Sequence, residues 1–334
     1  MRLTPSYINL FHSGELRRRA ETAFQILESC TSCPHNCEVD RTKNEFGFCH
    51  SGALPIVSSY TAHYGEEPVL SGTRGAGNIF FGNCNLRCMF CQNFEISQNW
   101  KVEKEHEISS ERLAEIMIEL QERNCHNIGL VSPTHFSAAI LKSIYLAAKK
   151  GLSLPIIYNT NGYDSVDMLK FYDGVIDIYL PDLKYGDNQS ARKYSKIDNY
   201  FDEAKKAIKE MFNQVGDELV YDGEVAVRGL IIRHLVLPNG LAESEKVFKF
   251  IAEELSPNVH ISLMSQYYPS NKASNDILIN RTLHESEYEK AIELMDKYGL
   301  HNGWMQETES SENYRPNFHE SRENPFKNRI IPIY

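Results

Sequence analysis

The stretch Asn78-Ile79-Phe80-Phe81-Gly82-Asn83-Cys84-Asn85-Leu86-Arg87-Cys88-Met89-Phe90-Cys91-Gln92-Asn93 decides how this chain is read. Its first four residues pattern as a strand, and three cysteines follow at once with C-x3-C-x2-C spacing. Iron–sulfur clusters are held by thiolates, and an unfilled coordination position marks a reactive metal site rather than a structural one. Three thiolates with no fourth beside them therefore suit a [4Fe–4S] cubane with one iron open. Zinc is the competing reading. It needs a fourth ligand, for which His63, His106 and Cys125 are the candidates.

Outward from this stretch, strands and helices alternate. Apolar runs at Ile128–Val131, Pro155–Tyr158, Val175–Leu180, Leu230–Leu237 and His260–Met264 read as strands. Between them, Leu113, Ile116, Met117 and Leu120 form a helical stripe, and further helices are expected at 138–150, 165–172, 199–215, 243–255 and 285–298. Such alternation implies right-handed βαβ units and a parallel sheet. Six strands, the one before the cysteines included, are too few for a closed eight-stranded barrel but enough for an open barrel or a doubly wound sheet. Nearly every strand runs into polar residues at its C-terminal end: Ser132-Pro133-Thr134-His135, Asn159-Thr160-Asn161, Asp182-Leu183-Lys184 and Gln266-Tyr267. Strand C-termini share one face in parallel α/β folds, and ligands bind there.

Composition narrows the function. The 334 residues are 42% hydrophobic and 24% charged, ordinary usage for a folded chain. A formal net charge of −10 disfavours an extended phosphate backbone, so no nucleic-acid partner is expected. No apolar run is long enough to span a bilayer, and the start lacks the basic-then-apolar order of an export signal, so a cytoplasmic location is expected. Eight cysteines in a reducing compartment favour metal over disulfides.

The cysteine spacing, with an aromatic just before the third cysteine, resembles the signature of the radical S-adenosylmethionine (SAM) superfamily. Gly65-Glu66-Glu67-Pro68, Ile79-Phe80-Phe81, Cys91-Gln92-Asn93-Phe94-Glu95-Ile96-Ser97 and Tyr314-Arg315-Pro316-Asn317-Phe318 together resemble its pyruvate formate-lyase activating enzyme-like branch. The resemblance implies an open (β/α)6 partial TIM barrel over residues 77–306. An N-terminal helix and four-cysteine extension (1–76) precede it, and a polar C-terminal tail (307–334) follows. It implies an oxidoreductase whose cluster, on Cys84, Cys88 and Cys91, cleaves SAM to a 5′-deoxyadenosyl radical. A reduced donor such as flavodoxin or ferredoxin supplies the electron. The substrate is either a glycyl-radical partner protein or a peptide or small molecule modified directly.

Resemblance also assigns cofactor contacts. Asn159 and Asn161 match a stretch beside the cofactor, Asp182 and Lys184 match an Asp-Leu-Lys segment at its methionine end, and Arg233 matches an Arg-bearing fifth strand. Asp182 suits an ammonium and Lys184 a carboxylate. The competing reading is an Asp182–Lys184 pair without a ligand, and an Arg233 paired to Asp182 or Asp177. Many members carry Gly-Gly-Glu after the second strand, where this chain has Ser132-Pro133-Thr134-His135. Thr134 is a weak substitute, and His135 either faces substrate or is a core histidine. Glu66-Glu67 precedes the first barrel strand, and position alone does not offer it as the substitute.

Cys30, Cys33, Cys37 and Cys49 form a second thiol group in a loop-rich segment. Four thiolates suit either a closed zinc site or an auxiliary iron–sulfur cluster, and spacing does not choose. A non-catalytic iron–sulfur or zinc protein is the remaining class, and it leaves the polar strand ends unexplained.

Overall fold

The computed structural model describes residues 4–306 and 316–326; the rest of the tail, with Tyr314 and Arg315, lies outside the described residues. Nine strands are present among them: β1 Val57–His63, β2 Ala76–Phe81, β3 Ile128–Val131, β4 Ile156–Thr160, β5 Ile178–Pro181, β6 Val220–Asp222, β7 Val225–Leu235, β8 His260–Met264 and β9 Gly303–Met305. The sheet runs β1-β2-β3-β4-β5-β7-β8-β9, parallel from β2 to β9, with β1 antiparallel to β2 and β6 hairpinned onto β7. This is an open α/β partial barrel, with β1 and β9 as its edges.

Period-two alternation assigns the faces. Ile79 and Phe81 of β2 point to the helices and join the main core, whereas Asn78 and Phe80 point into the barrel. The helix Ser110–Glu122 buries Leu113, Ile116, Met117 and Leu120, the expected stripe, and Ser109 caps it by accepting the Arg112 N–H at 3.1 Å. Helices Ser137–Lys149 and Tyr200–Val215 bury apolar faces in the same core. Tyr7, Leu16, Ala20 and Ala23 of the N-terminal helices also join it.

Residues 51–76 hold one seven-residue strand, β1, and the short helix Pro68–Ser71. Leu70 of that helix packs with Ile157, Ile178, Ala226 and Ile231 and plugs the N-terminal end of the barrel. At the N-terminus, Gly14, with φ of 80°, stands at the start of the helix Glu15–Gln25. The strand expected from Val175 begins at Ile178, because Asp177 is spent accepting the N–H groups of Ser6 and Ile156 at 2.8 and 2.9 Å.

Residues 316–326 cross the open side of the barrel near β1. The Phe318 and Phe326 rings pack on Phe80 at 5.6 and 6.0 Å, and Glu95 accepts the N–H groups of Phe318 and His319. Arg322 reaches the fully buried Glu103 at 2.7 Å, which also accepts the Ser58 hydroxyl.

Candidate active site

The strand ends and the three-cysteine loop converge on one cavity of about 610 Å³, within the range of small-molecule sites. Cys84, Cys88 and Cys91 line it, together with Asn159 and Asn161 after β4, Asp182 and Lys184 after β5, Arg233 of β7, and Ser262, Met264 and Gln266 at β8. All three central thiols and all five expected cofactor contacts therefore share one space.

The loop is shaped by Asn83, whose φ of 64° is a left-handed conformation that asparagine tolerates. Its side chain donates to the His50 carbonyl and Ser51 hydroxyl at 3.1 Å. Polar groups address each sulfur: the Leu86 N–H at 3.3 Å and Asn161 Nδ2 at 3.5 Å from Cys84, the Ser195 hydroxyl at 3.0 Å from Cys88, and the Ser97 hydroxyl at 3.2 Å from Cys91. Burial pushes the Cys91 thiol up to about 12 and raises Cys84 and Cys88 as well. Such thiols ionise when a metal takes the place of the proton. Three sulfurs facing one cavity, each with a polar neighbour, fit a thiolate-held cluster tuned by hydrogen bonds.

Lys184 Nζ sits 2.5 Å from Asp182. Burial opposes the ammonium, but the Asp182 carboxylate outweighs it and holds Lys184 charged above its usual range. The Tyr200 hydroxyl lies 2.8 and 3.0 Å from the Asn161 and Asp182 carbonyl oxygens, tying β4 to β5 beneath these side chains.

Arg233 does not pair with the side chains of Asp182 or Asp177. Its Nε and Nη2 lie 2.7 Å from the two oxygens of Glu67, and Nη2 also reaches Glu66. Glu66 and Glu67 are cavity residues, contrary to the expectation from their position before the first barrel strand. The antiparallel β1 carries the chain back past β2 and delivers them. Thr134 and His135 do not line the cavity. Thr134 donates to Asp164 at 2.7 Å, beside Thr160 at 2.6 Å and Tyr158 at 3.2 Å, so it braces the β4 loop. His135 is a core histidine on the Gly82 carbonyl. Tyr267 is packing, its hydroxyl on the Ile279 carbonyl, and Cys125 is a buried core residue.

The N-terminal thiols sit against this loop. Cys30 and Cys37 hydrogen-bond, which pulls Cys30 down to about 4 against its burial, with Arg41 assisting; burial pushes Cys33 up to about 12, and nearby Cys49 adds to it. Gly47 is needed there, since a Cβ would lie 2.5 Å from the Cys37 sulfur. Sequence reasoning missed Arg41, fully buried and donating to the Ser51, Gly52 and His135 carbonyls. It also missed His35, 2.9 Å from the Asn85 carbonyl, whose residue's side chain meets Asn161 at 2.7 Å. Neither residue carries a motif.

The radical SAM superfamily model matches residues 78–236, the span from β2 through β7 that supplies these groups. The chain belongs to the radical SAM superfamily. Uncharacterized protein MJ0674 of Methanocaldococcus jannaschii is 37% identical over 293 residues, 84% of this chain and 78% of that protein. Among solved structures, methylornithine synthase (PylB) aligns with a TM-score of 0.44 at 14% identity over 89% of this chain and 74% of that one. TYW1 with a lysine-pyruvate adduct bound aligns with a TM-score of 0.40 at 15% identity over 77% and 83%. Membership in the superfamily carries the use of a [4Fe–4S] cluster and SAM. No helix among the described residues is long and apolar enough to cross a membrane.

Proposed function

We propose that Cys84, Cys88 and Cys91 hold the [4Fe–4S] cluster and that SAM occupies the adjoining part of the cavity. Asp182 then receives its ammonium and Lys184 its carboxylate. Asn159 and Asn161 lie beside it, and Arg233, held by Glu66 and Glu67, faces the rest of the cavity. When bound, the pair supplies a 5′-deoxyadenosyl radical that takes a hydrogen atom from a substrate. The chain contributes position and enclosure: Tyr200 fixes the two strand ends, and Phe80, Phe318 and Phe326 wall the open side.

The observation that carries this reading is the single cavity shared by three thiols and the Asp182–Lys184 pair. Residues 316–326 across the barrel's side favour a small molecule or a single side chain as substrate. The glycyl-radical activase reading rests on the branch resemblance, with Gly65-Glu66-Glu67-Pro68 as its contribution to the site. The four N-terminal thiols hold zinc or an auxiliary cluster that orders the 30–50 segment against the cluster loop.

The test is anaerobic reconstitution with iron and sulfide, then dithionite and SAM. Wild type is expected to release 5′-deoxyadenosine and Cys88→Ala none. Equal release by both proteins refutes the assignment of the thiols.

A further inference from the structure

One end of the cavity is built by residues outside the superfamily match. His63, at the end of β1, is 6% exposed and lines the cavity. Among the described residues neither of its ring nitrogens has a hydrogen-bond partner; its contacts are the Phe80 and Phe326 rings. Burial lowers its pKa, so the ring is neutral and carries one donor and one acceptor on the lining of the cavity.

Beside it the charge does not balance. Glu66 and Glu67 carry two negative charges against the one positive charge of Arg233, with side chains 9%, 4% and 14% exposed. Glu66 also accepts Asn78 Nδ2 at 2.7 Å. Asp182 and Lys184 cancel each other elsewhere in the cavity. Asn78 stands near the start of β2 and the thiols follow that strand's end, so Glu66 lies deeper in the barrel than the thiols.

We propose that His63 and Glu66 form the substrate subsite, and that it takes the protonated primary amine of a small molecule. The ammonium supplies the missing positive charge to Glu66 and donates a second hydrogen bond to the imidazole. This rests on the radical SAM reading, which places the cofactor on Asp182 and Lys184, and it adds the substrate's chemical class.

The experiment uses reconstituted holoenzyme with SAM and no reductant, so it stands apart from any failure of SAM cleavage. Linear primary alkylamines from propyl to octyl are titrated calorimetrically against alcohols of equal length. The amines are expected to bind at least about tenfold more tightly, the worth of one charge-assisted hydrogen bond. Glu66→Gln is expected to remove that preference and leave SAM affinity within about twofold; His63→Leu weakens amine binding and His63→Gln restores it in part. Iron content and circular dichroism matching wild type qualify each variant. No amine preference in wild type overturns the proposal. So does a parallel loss of SAM affinity in Glu66→Gln, which assigns the carboxylate to the cofactor. An amine-bearing peptide that competes as well as the free amine overturns the small-molecule assignment.

Discussion

Arg233→Met tests the charge bookkeeping inside the barrel. Methionine keeps much of the volume but leaves Glu66 and Glu67 without the guanidinium that lies 2.7 Å from Glu67 and also reaches Glu66. In the wild type burial alone would raise Glu66, and Arg233 overrides it and holds the group below its ordinary value of 4.5. Removing one partner of a buried pair costs about 3–5 kcal/mol. Protonation caps the loss: neutralising a carboxyl of ordinary value 4.5 costs about 4 kcal/mol at about pH 7.5 but about 1.4 kcal/mol at about pH 5.5. The sign follows. Wild-type Glu66 contributes stability present above its unfolded value and lost as pH falls through its folded one, whereas the variant's penalty shrinks as pH falls. Urea unfolding of both reconstituted proteins under anaerobic conditions, across that pH range, reads the difference. A penalty that stays constant with pH refutes buried charge as its source.

Three further outcomes are expected. Asp177, raised by burial to about 6 from an ordinary value of 3.8, holds its proton more tightly folded than unfolded. Stability should therefore fall by about 3 kcal/mol as pH rises through that window, and Asp177→Asn should flatten the slope in denaturant titrations. Gly162→Ala puts a Cβ 2.3 Å from the Asp182 carbonyl oxygen at a φ of +81°. It should weaken SAM binding at least about tenfold in calorimetry, while a similarly left-handed but unobstructed Gly216→Ala loses only the backbone preference of about 1 kcal/mol in stability. Arg322→Ala strands the fully buried Glu103 and should cost about 2–4 kcal/mol, read as faster limited proteolysis near residue 320.

The parts of the site set by local spacing or strand topology were legible in the sequence. The C-x3-C-x2-C loop needs no distant partner, and Asn161, Asp182 and Lys184 were found because polar residues end apolar strands. Arg233 was legible as a buried cation, but its partners were not: Glu66 lies 167 residues away. It arrives through an antiparallel β1 hidden among glycine-broken apolar runs. His63, named only as a candidate zinc ligand, reaches the same cavity by the same strand. Thr134, offered only as a weak substitute for the missing Gly-Gly-Glu, is spent on Asp164, thirty residues further on. β6 and β9, three residues each, carry too few side chains for a period to show.

The Glu95 contact with residues 318 and 319 joins two otherwise separate functions of the chain. Glu95 stands four residues after Cys91, and the backbone it accepts from is 223 residues further on. Whatever stiffens the thiol loop therefore also favours docking of residues 316–326, and their undocking loosens the loop, since linkage runs both ways. With the cluster on that loop, as proposed, residues 316–326 keep the open side of the barrel covered while Glu95 holds them.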